Sequence, residues 1–186
     1  MNDTLKITGT LTVTCLLCAF LLAYVAGIAK PKIAAHQTRE RRAAIQTLIP
    51  NAETIRPYPQ RENLFRIYDA SDTLLGYAFL AEGQGYAGTI RLVGALDADL
   101  SRLRGIKVIE SVETPGLGSK ITEEDFRGQF ENLKVRPKIG LTKGETSKDT
   151  QVQAISGATI SSKAVVSILN EKISLIKAVI ESNRNH

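Results

Sequence analysis

Val152-Gln153-Ala154-Ile155-Ser156-Gly157-Ala158-Thr159-Ile160-Ser161-Ser162 holds the change from one kind of pattern to another. Val152–Ile155 reads as a short strand. Ile160–Ile180 reads as a long amphipathic helix, with Val165, Val166, Ile168, Leu169, Ile173 and Ile176 on its apolar side. Ser156-Gly157-Ala158-Thr159 therefore stands where the helix begins. A helix start presents free backbone N–H groups and the positive end of the helix dipole, so an anion placed there is stabilised. Gly157 permits a tight turn and close approach of backbone to a ligand. Ala158 adds no bulk, and Ser156, Thr159, Ser161 and Ser162 offer hydroxyls. The chemistry suits a phosphate. Taken alone, the tetrapeptide reads first as an ordinary capping segment, because small hydroxyl residues are favoured before any helix.

Upstream of this junction the pattern is strand-rich. Leu64–Ala70 and Leu74–Glu82 read as a hairpin turning at Ser71-Asp72-Thr73, and Thr89–Leu96 and Gly105–Val112 as two more strands. Gly83, Gly85 and Gly88 lie between strands. No helix pattern follows them, so a dinucleotide fingerprint is excluded and a bend is expected. Glu113-Thr114-Pro115-Gly116-Leu117-Gly118 follows a strand and forms a turn or loop, rigid enough to hold a flat ring with Leu117 packed on one face. Thr122-Glu123-Glu124-Asp125 reads as a helix start, and residues 136–150 as polar loop. The fold class expected is α+β: one N-terminal transmembrane helix, then a single strand-rich domain with a long C-terminal helix.

The transmembrane helix comes from Ile7–Ala29, 23 residues without a charge. At ~1.5 Å per residue they make roughly 34 Å of helix, enough for a ~30 Å hydrocarbon core. Gly27 and Ala29 could end a signal peptide, but the run is long for one and is preceded by a single basic residue, Lys6, so an uncleaved anchor is expected. Residues 1–30 are read as the anchor, 31–50 as a juxtamembrane helix and linker with Pro31 in its first turn and Ile33, Ala34, Ala44, Ile45 and Leu48 on one side, and 51–186 as the globular domain. Pro50, Pro57 and Pro59 break the pattern after it.

The net charge of +5 is unevenly spread. Residues 30–42 carry +4, and residues 43–186 only +1. The basic segment can meet anionic lipid, and the domain has no basic excess for nucleic acid. Cys15 and Cys18 lie inside the apolar run, where they read as small apolar side chains. The histidines are His36 and His186, and the methionine is Met1. Cysteine-ligated iron–sulfur clusters are excluded from the domain and His/Met haem ligation is not expected, so an electron carrier here would be organic. No acid–base constellation appears; no catalytic residue and no metal ligand is expected.

Gly85-Tyr86-x-Gly88, Gly105-Ile106-x-Val108, Glu113-Thr114-Pro115-Gly116-Leu117-Gly118 and Ser156-Gly157-Ala158-Thr159 with Ser161, in that order, resemble the FMN-binding domain family. Within it the whole chain is similar to the G subunits of Rnf-type electron-transport complexes, with the C subunit of the sodium-translocating NADH:quinone reductase as a relative. The resemblance implies FMN joined through its phosphate to Thr159 as a phosphoester. Ser156, Gly157, Ala158 and Ser161 would surround the phosphate, and Glu113, Thr114, Leu117 and Gly118 would lie in the loop against the flavin. It also implies a flavin transferase that uses FAD and Mg²⁺, subunits A, B, C, D and E as partners, and a single-pass inner-membrane protein relaying electrons in a ferredoxin:NAD oxidoreductase that moves Na⁺ or H⁺. The transferase's pattern usually starts with Asp three residues before the Ser/Thr. Gln153 stands there, and the transferase is expected to accept it. Five basic residues after the span against one before it would put the domain in the cytoplasm. The resemblance places it on the extracytoplasmic side, which is the expectation adopted. The alternatives are a membrane-tethered FMN sensor or regulatory module, and a non-redox anchor protein in which Ser156–Thr159 is only a helix cap.

Overall fold

The computed structural model describes residues 2–146 and 148–184; Met1 and His186, and the side chains of Pro31 and Ala34, lie outside the described set. Two units are distinguished, residues 1–40 and 41–186.

The N-terminal unit is helical. Helix α1 runs from Asn2 to Leu48 without interruption. A second helix starting at Pro31 was expected; instead Pro31 sits inside one helix. An interior proline removes one hydrogen bond and costs about 3 kcal/mol. The runs of helical backbone on both sides keep it continuous. The segment Lys6–Lys30 is long and apolar enough to cross a membrane. Leu16, Phe20 and Leu22 are well exposed. An apolar surface of that extent is satisfied by lipid rather than by water.

The second unit is built on a six-stranded sheet. Strands β1 (Thr54–Tyr58), β2 (Arg61–Tyr68), β3 (Leu74–Gln84), β4 (Thr89–Asp97), β5 (Arg102–Ser111) and β6 (Leu133–Lys134) lie in chain order, each antiparallel to the next. The expected hairpin turns where the sequence places it: Asp69 Oδ1 accepts from the N–H of Ser71 and of Thr73, both at 2.8 Å. Gly85–Gly88 form the β3–β4 turn, and Gly83 lies in β3. Strand β1 was not expected, because Pro57 reads as a break. Pro57 is accommodated because β1 is an edge strand, where a missing N–H costs nothing in the ladder.

Both faces of the sheet are covered, which makes β4 apolar on both sides. On one face Leu92 and Leu96 join Phe79, Phe130 and Ile121 under helix α3 (Thr159–Arg184), which contributes Val165, Leu169, Ile173 and Ile176. On the other face Val93 and Ala95 meet Ala44, Ile45 and Ile49 from the end of α1 and the turn after it. The compact unit thus begins before residue 51. The segment between β5 and β6 carries a 3-10 turn at Gly118–Thr122 and a one-turn helix α2 (Glu124–Arg127), shorter than its acidic start implies. Strands β7 (Gly140–Thr142) and β8 (Gln151–Gln153) pair in parallel and lead into the Ser156–Thr159 turn. The α+β class, the N-terminal apolar helix and the long C-terminal helix are all observed.

The core is tight at Gly94, where a Cβ would strike the ring of Phe79. Gly94→Ala is expected to destabilise the domain by about 1–3 kcal/mol through overpacking, read as a lowered midpoint in chemical denaturation.

Candidate functional site

Three segments far apart in the chain meet at one buried carboxylate. Glu113, the residue after Val112 at the end of β5, is only 7% exposed. Its Oε1 accepts from the backbone N–H of Tyr86 at 2.7 Å and of Ala87 at 3.2 Å, in the β3–β4 turn. Its Oε2 accepts from the Ser161 hydroxyl at 2.6 Å, in the first turn of α3. Hydrogen bonds to an ionised acceptor are short and strong, and they offset the cost of taking the carboxylate out of water. A Cβ on Gly85 would collide with Oε1; one on Gly118 would lie 2.5 Å from Oε2 and 2.9 Å from Ser161 Oγ. The glycines make room for the carboxylate.

The helix start beside this tie is open. Gly157 has φ +80°, a conformation that favours glycine. Ala158 is the last residue before α3 and has no side-chain acceptor, so it does not cap. Ser162 bonds locally: its hydroxyl donates to Ala158 O and accepts from Ile155 N, both at 3.0 Å. Ser162 N donates to Ala158 O, while no acceptor among the described residues meets the N–H of Thr159, Ile160 or Ser161. Ser161 is buried and committed to Glu113. Ser156 is exposed and Thr159 half-buried. The uncapped end of a 26-residue helix therefore keeps its donors for an anion, with the Thr159 hydroxyl at its first position.

The Glu113–Gly118 loop reaches the same place. A Cβ on Gly157 would lie 3.2 Å from Leu117 Cδ2, so the two loops touch. Leu117 N and Ser119 N both donate to Thr114 O, at 3.2 and 3.1 Å, and the Ser119 hydroxyl accepts from Gly116 N at 2.9 Å. Thr114 is exposed. Large apolar side chains exposed in this unit include Tyr86 (65%), Val112 (62%), Leu117 (48%) and Ile160 (58%). Tyr86 donates its N–H to Glu113, Val112 precedes Glu113, and Ile160 precedes Ser161. The sequence reading missed Val112 and Ile160; a single apolar residue beside a motif carries no sign that it will be left exposed.

The FMN-binding domain model matches residues 85–174, which contain every residue of this arrangement. The chain is 33% identical to the G subunit of the ion-translocating oxidoreductase complex of Methanosarcina acetivorans, over 96% of this chain and 98% of that protein. It belongs to the G-subunit family of ion-translocating oxidoreductase complexes. A second member of the family, the G subunit of the proton-translocating ferredoxin:NAD(+) oxidoreductase complex of Clostridium ljungdahlii, is 30% identical over 92% of this chain and 91% of its own length. Among solved structures, the C subunit of the Na(+)-translocating NADH-quinone reductase of Parabacteroides distasonis superposes with a TM-score of 0.53 at 25% identity, covering 60% of this chain and 58% of that one.

Cutting the tie has a defined cost. Glu113→Ala leaves the buried Ser161 hydroxyl without its acceptor and is expected to lose about 2–4 kcal/mol of stability. Glu113→Gln keeps an oxygen for the two N–H groups and is expected to lose less than half of that. Chemical denaturation of the two variants beside the parent chain measures both.

Proposed function

We propose that this chain is the FMN-bearing electron-transfer subunit of a membrane-bound, Rnf-type ion-translocating ferredoxin:NAD oxidoreductase, and that the FMN is carried as a phosphoester on Thr159. The observation that carries the reading is the start of α3, where the N–H groups of Thr159, Ile160 and Ser161 meet no acceptor among the described residues and a hydroxyl stands at the first helical position. A helix cap would have used a side-chain oxygen at the residue before the helix, and that residue is Ala158.

The residues present fit the group. The helix start would receive the phosphate, with Ser156 and the left-handed Gly157 forming the approach. The exposed apolar side chains Leu117, Tyr86, Val112 and Ile160 would supply the apolar bed for the ring system, and Thr114 and Gly118 would fix the loop that holds Leu117. Glu113 and Ser161 act beneath this surface as positioning residues. FMN, when bound, supplies the one- and two-electron chemistry. The protein supplies placement, exclusion of water from one ring face, and a tether that prevents loss of the cofactor.

Attachment would be the work of a separate flavin transferase with FAD as donor. A bond forms between Thr159 Oγ1 and the flavin-side phosphorus, the bond to the AMP half breaks, and the hydroxyl proton leaves with AMP or to solvent. Gln153 is exposed and offers no charge to this step. Residues 1–30 would be the single-pass anchor in the plasma (inner) membrane, next to a basic stretch that can meet lipid head groups. The domain would lie on the extracytoplasmic side, where it meets the transferase and the other subunits, A to E.

Two outcomes are expected. After co-expression with a competent transferase, a denaturing gel under ultraviolet light shows a fluorescent band for the parent chain and for Thr159→Ser. Thr159→Ala removes the band; a band that survives in Thr159→Ala would place the flavin elsewhere. In sealed cells, protease added from outside reaches residues 43–186, whereas full protection would put the domain in the cytoplasm.

A further inference from the structure

Glu113 and Ser161 hold the α3 side of the junction; the strand side is held by a different device. Ala154 N donates to Thr142 O of β7 at 2.8 Å. Gln153, one residue earlier in β8, turns its backbone to a side chain instead. Its N–H donates to Gln129 Oε1 at 2.6 Å, and its carbonyl accepts from Gln129 Nε2 at 3.4 Å. The same Nε2 donates to Asp125 O at 3.2 Å. A carboxamide carries an acceptor and two donors, so it can meet a peptide N–H and C=O together. Gln129 thus does at one residue what a further strand would do along the whole of β8.

The backbone that carries Gln129 is itself anchored. Gln129 lies in the 3-10 turn Gly128–Phe130, next to Phe130 and close to Phe126. Both phenylalanines are buried in the core, and their rings meet edge to face at 5.3 Å. Farther along the segment, the Ser162 hydroxyl holds Ile155 through its N–H. Gln153, Ala154, Ile155 and Ser156 line a hollow of about 310 Å³ together with Gln129. Residues along a hollow lack packing atoms on that side. Hydrogen bonds therefore supply more of the restraint on this stretch than they would in the core. Ser156 and the left-handed Gly157 follow at once, and they form the approach to the start of α3.

We propose that Gln129 is a positioning residue for flavin attachment: its carboxamide clamps the Gln153 peptide and keeps Ser156 and Gly157 in place while the Thr159 hydroxyl displaces AMP from FAD. In that step the bond from Thr159 Oγ1 to the flavin-side phosphorus forms, the bond from that phosphorus to the AMP half breaks, and the hydroxyl proton leaves with AMP or to solvent. Gln129 takes no part in the bond changes. It acts through the acceptor segment, where a displacement of about 1 Å can cost ~100-fold in rate. The proposal rests on the reading of Thr159 as the flavin-bearing residue.

The test follows flavin attachment to the full chain in detergent by a purified flavin transferase supplied with FAD and Mg²⁺. Chain concentration is varied so that turnover and half-saturation separate. Gln129→Met keeps the side-chain volume and removes both hydrogen bonds; its turnover is expected to fall on the order of tenfold, with half-saturation unchanged. Gln129→Glu keeps the acceptor for the Gln153 N–H and is expected to fall by no more than about threefold. Backbone hydrogen exchange reads the clamp itself: in Gln129→Met the Gln153 amide is expected to exchange on the order of tenfold faster, with the Ala154 amide as in the parent chain. An unchanged Gln153 amide means that there is no clamp. Parent turnover in Gln129→Met means that the clamp is structural only, and raised half-saturation at parent turnover makes Gln129 a docking contact. Each of these overturns the proposal and leaves the flavin reading standing. If the parent chain itself takes up no flavin, the flavin reading fails and the clamp proposal with it.

Discussion

The Glu113 carboxylate is the constraint on which the site depends. A buried charge is unfavourable unless donors surround it, and here the donors come from two other parts of the chain: the β3–β4 turn at Tyr86 and Ala87, and the first turn of α3 at Ser161. Once the carboxylate lies at that point, Gly85 and Gly118 have no room for a side chain. Glycines that look like ligand-contact residues in the sequence are therefore required first by the protein's own packing. The Glu113 tie also fixes where α3 starts relative to the Leu117 loop.

The rest of the domain holds this junction rigid. The sheet is packed on both faces, and the long helix whose first turn carries Thr159 is anchored along its length by Val165, Leu169, Ile173 and Ile176. Its far end is tied as well: Asn183 donates to the Tyr58 hydroxyl at 2.9 Å, and Lys177 to Val135 O at 3.0 Å. A helix secured along one side keeps the N–H groups of its first residues without acceptors among the described residues. Sites placed on rigid elements hold their geometry better than sites on loops alone.

Much of the architecture was legible in the sequence, for physical reasons. The hairpin at Ser71–Thr73, the apolar side of α3 and the apolar N-terminal helix all rest on short-range periodicity. What escaped depends on tertiary context. Pro57 hid β1 because a proline is compatible with a strand only at an edge, and edges are a property of the sheet. Pro31 was read as a helix start, whereas the helix runs through it. Thr159 and the Glu113 loop could be named as site residues by resemblance. The local pattern gave no means of telling that Glu113 and Ser161 bond to each other, 48 residues apart, or that Val112 and Ile160 would be left exposed.

The central claim is that this assembled junction presents Thr159, and no neighbouring hydroxyl, to the flavin phosphate. The most direct measurement is fragmentation mass spectrometry of the tryptic peptide Asp149–Lys163 from the chain co-expressed with a flavin transferase. Four hydroxyl residues of the motif lie in that one peptide: Ser156, Thr159, Ser161 and Ser162. The account predicts the flavin phosphate on Thr159 alone, with Ser161 unmodified because it is buried against Glu113. An unmodified peptide, or a flavin phosphate localised to Ser156, Ser161 or Ser162, would contradict it.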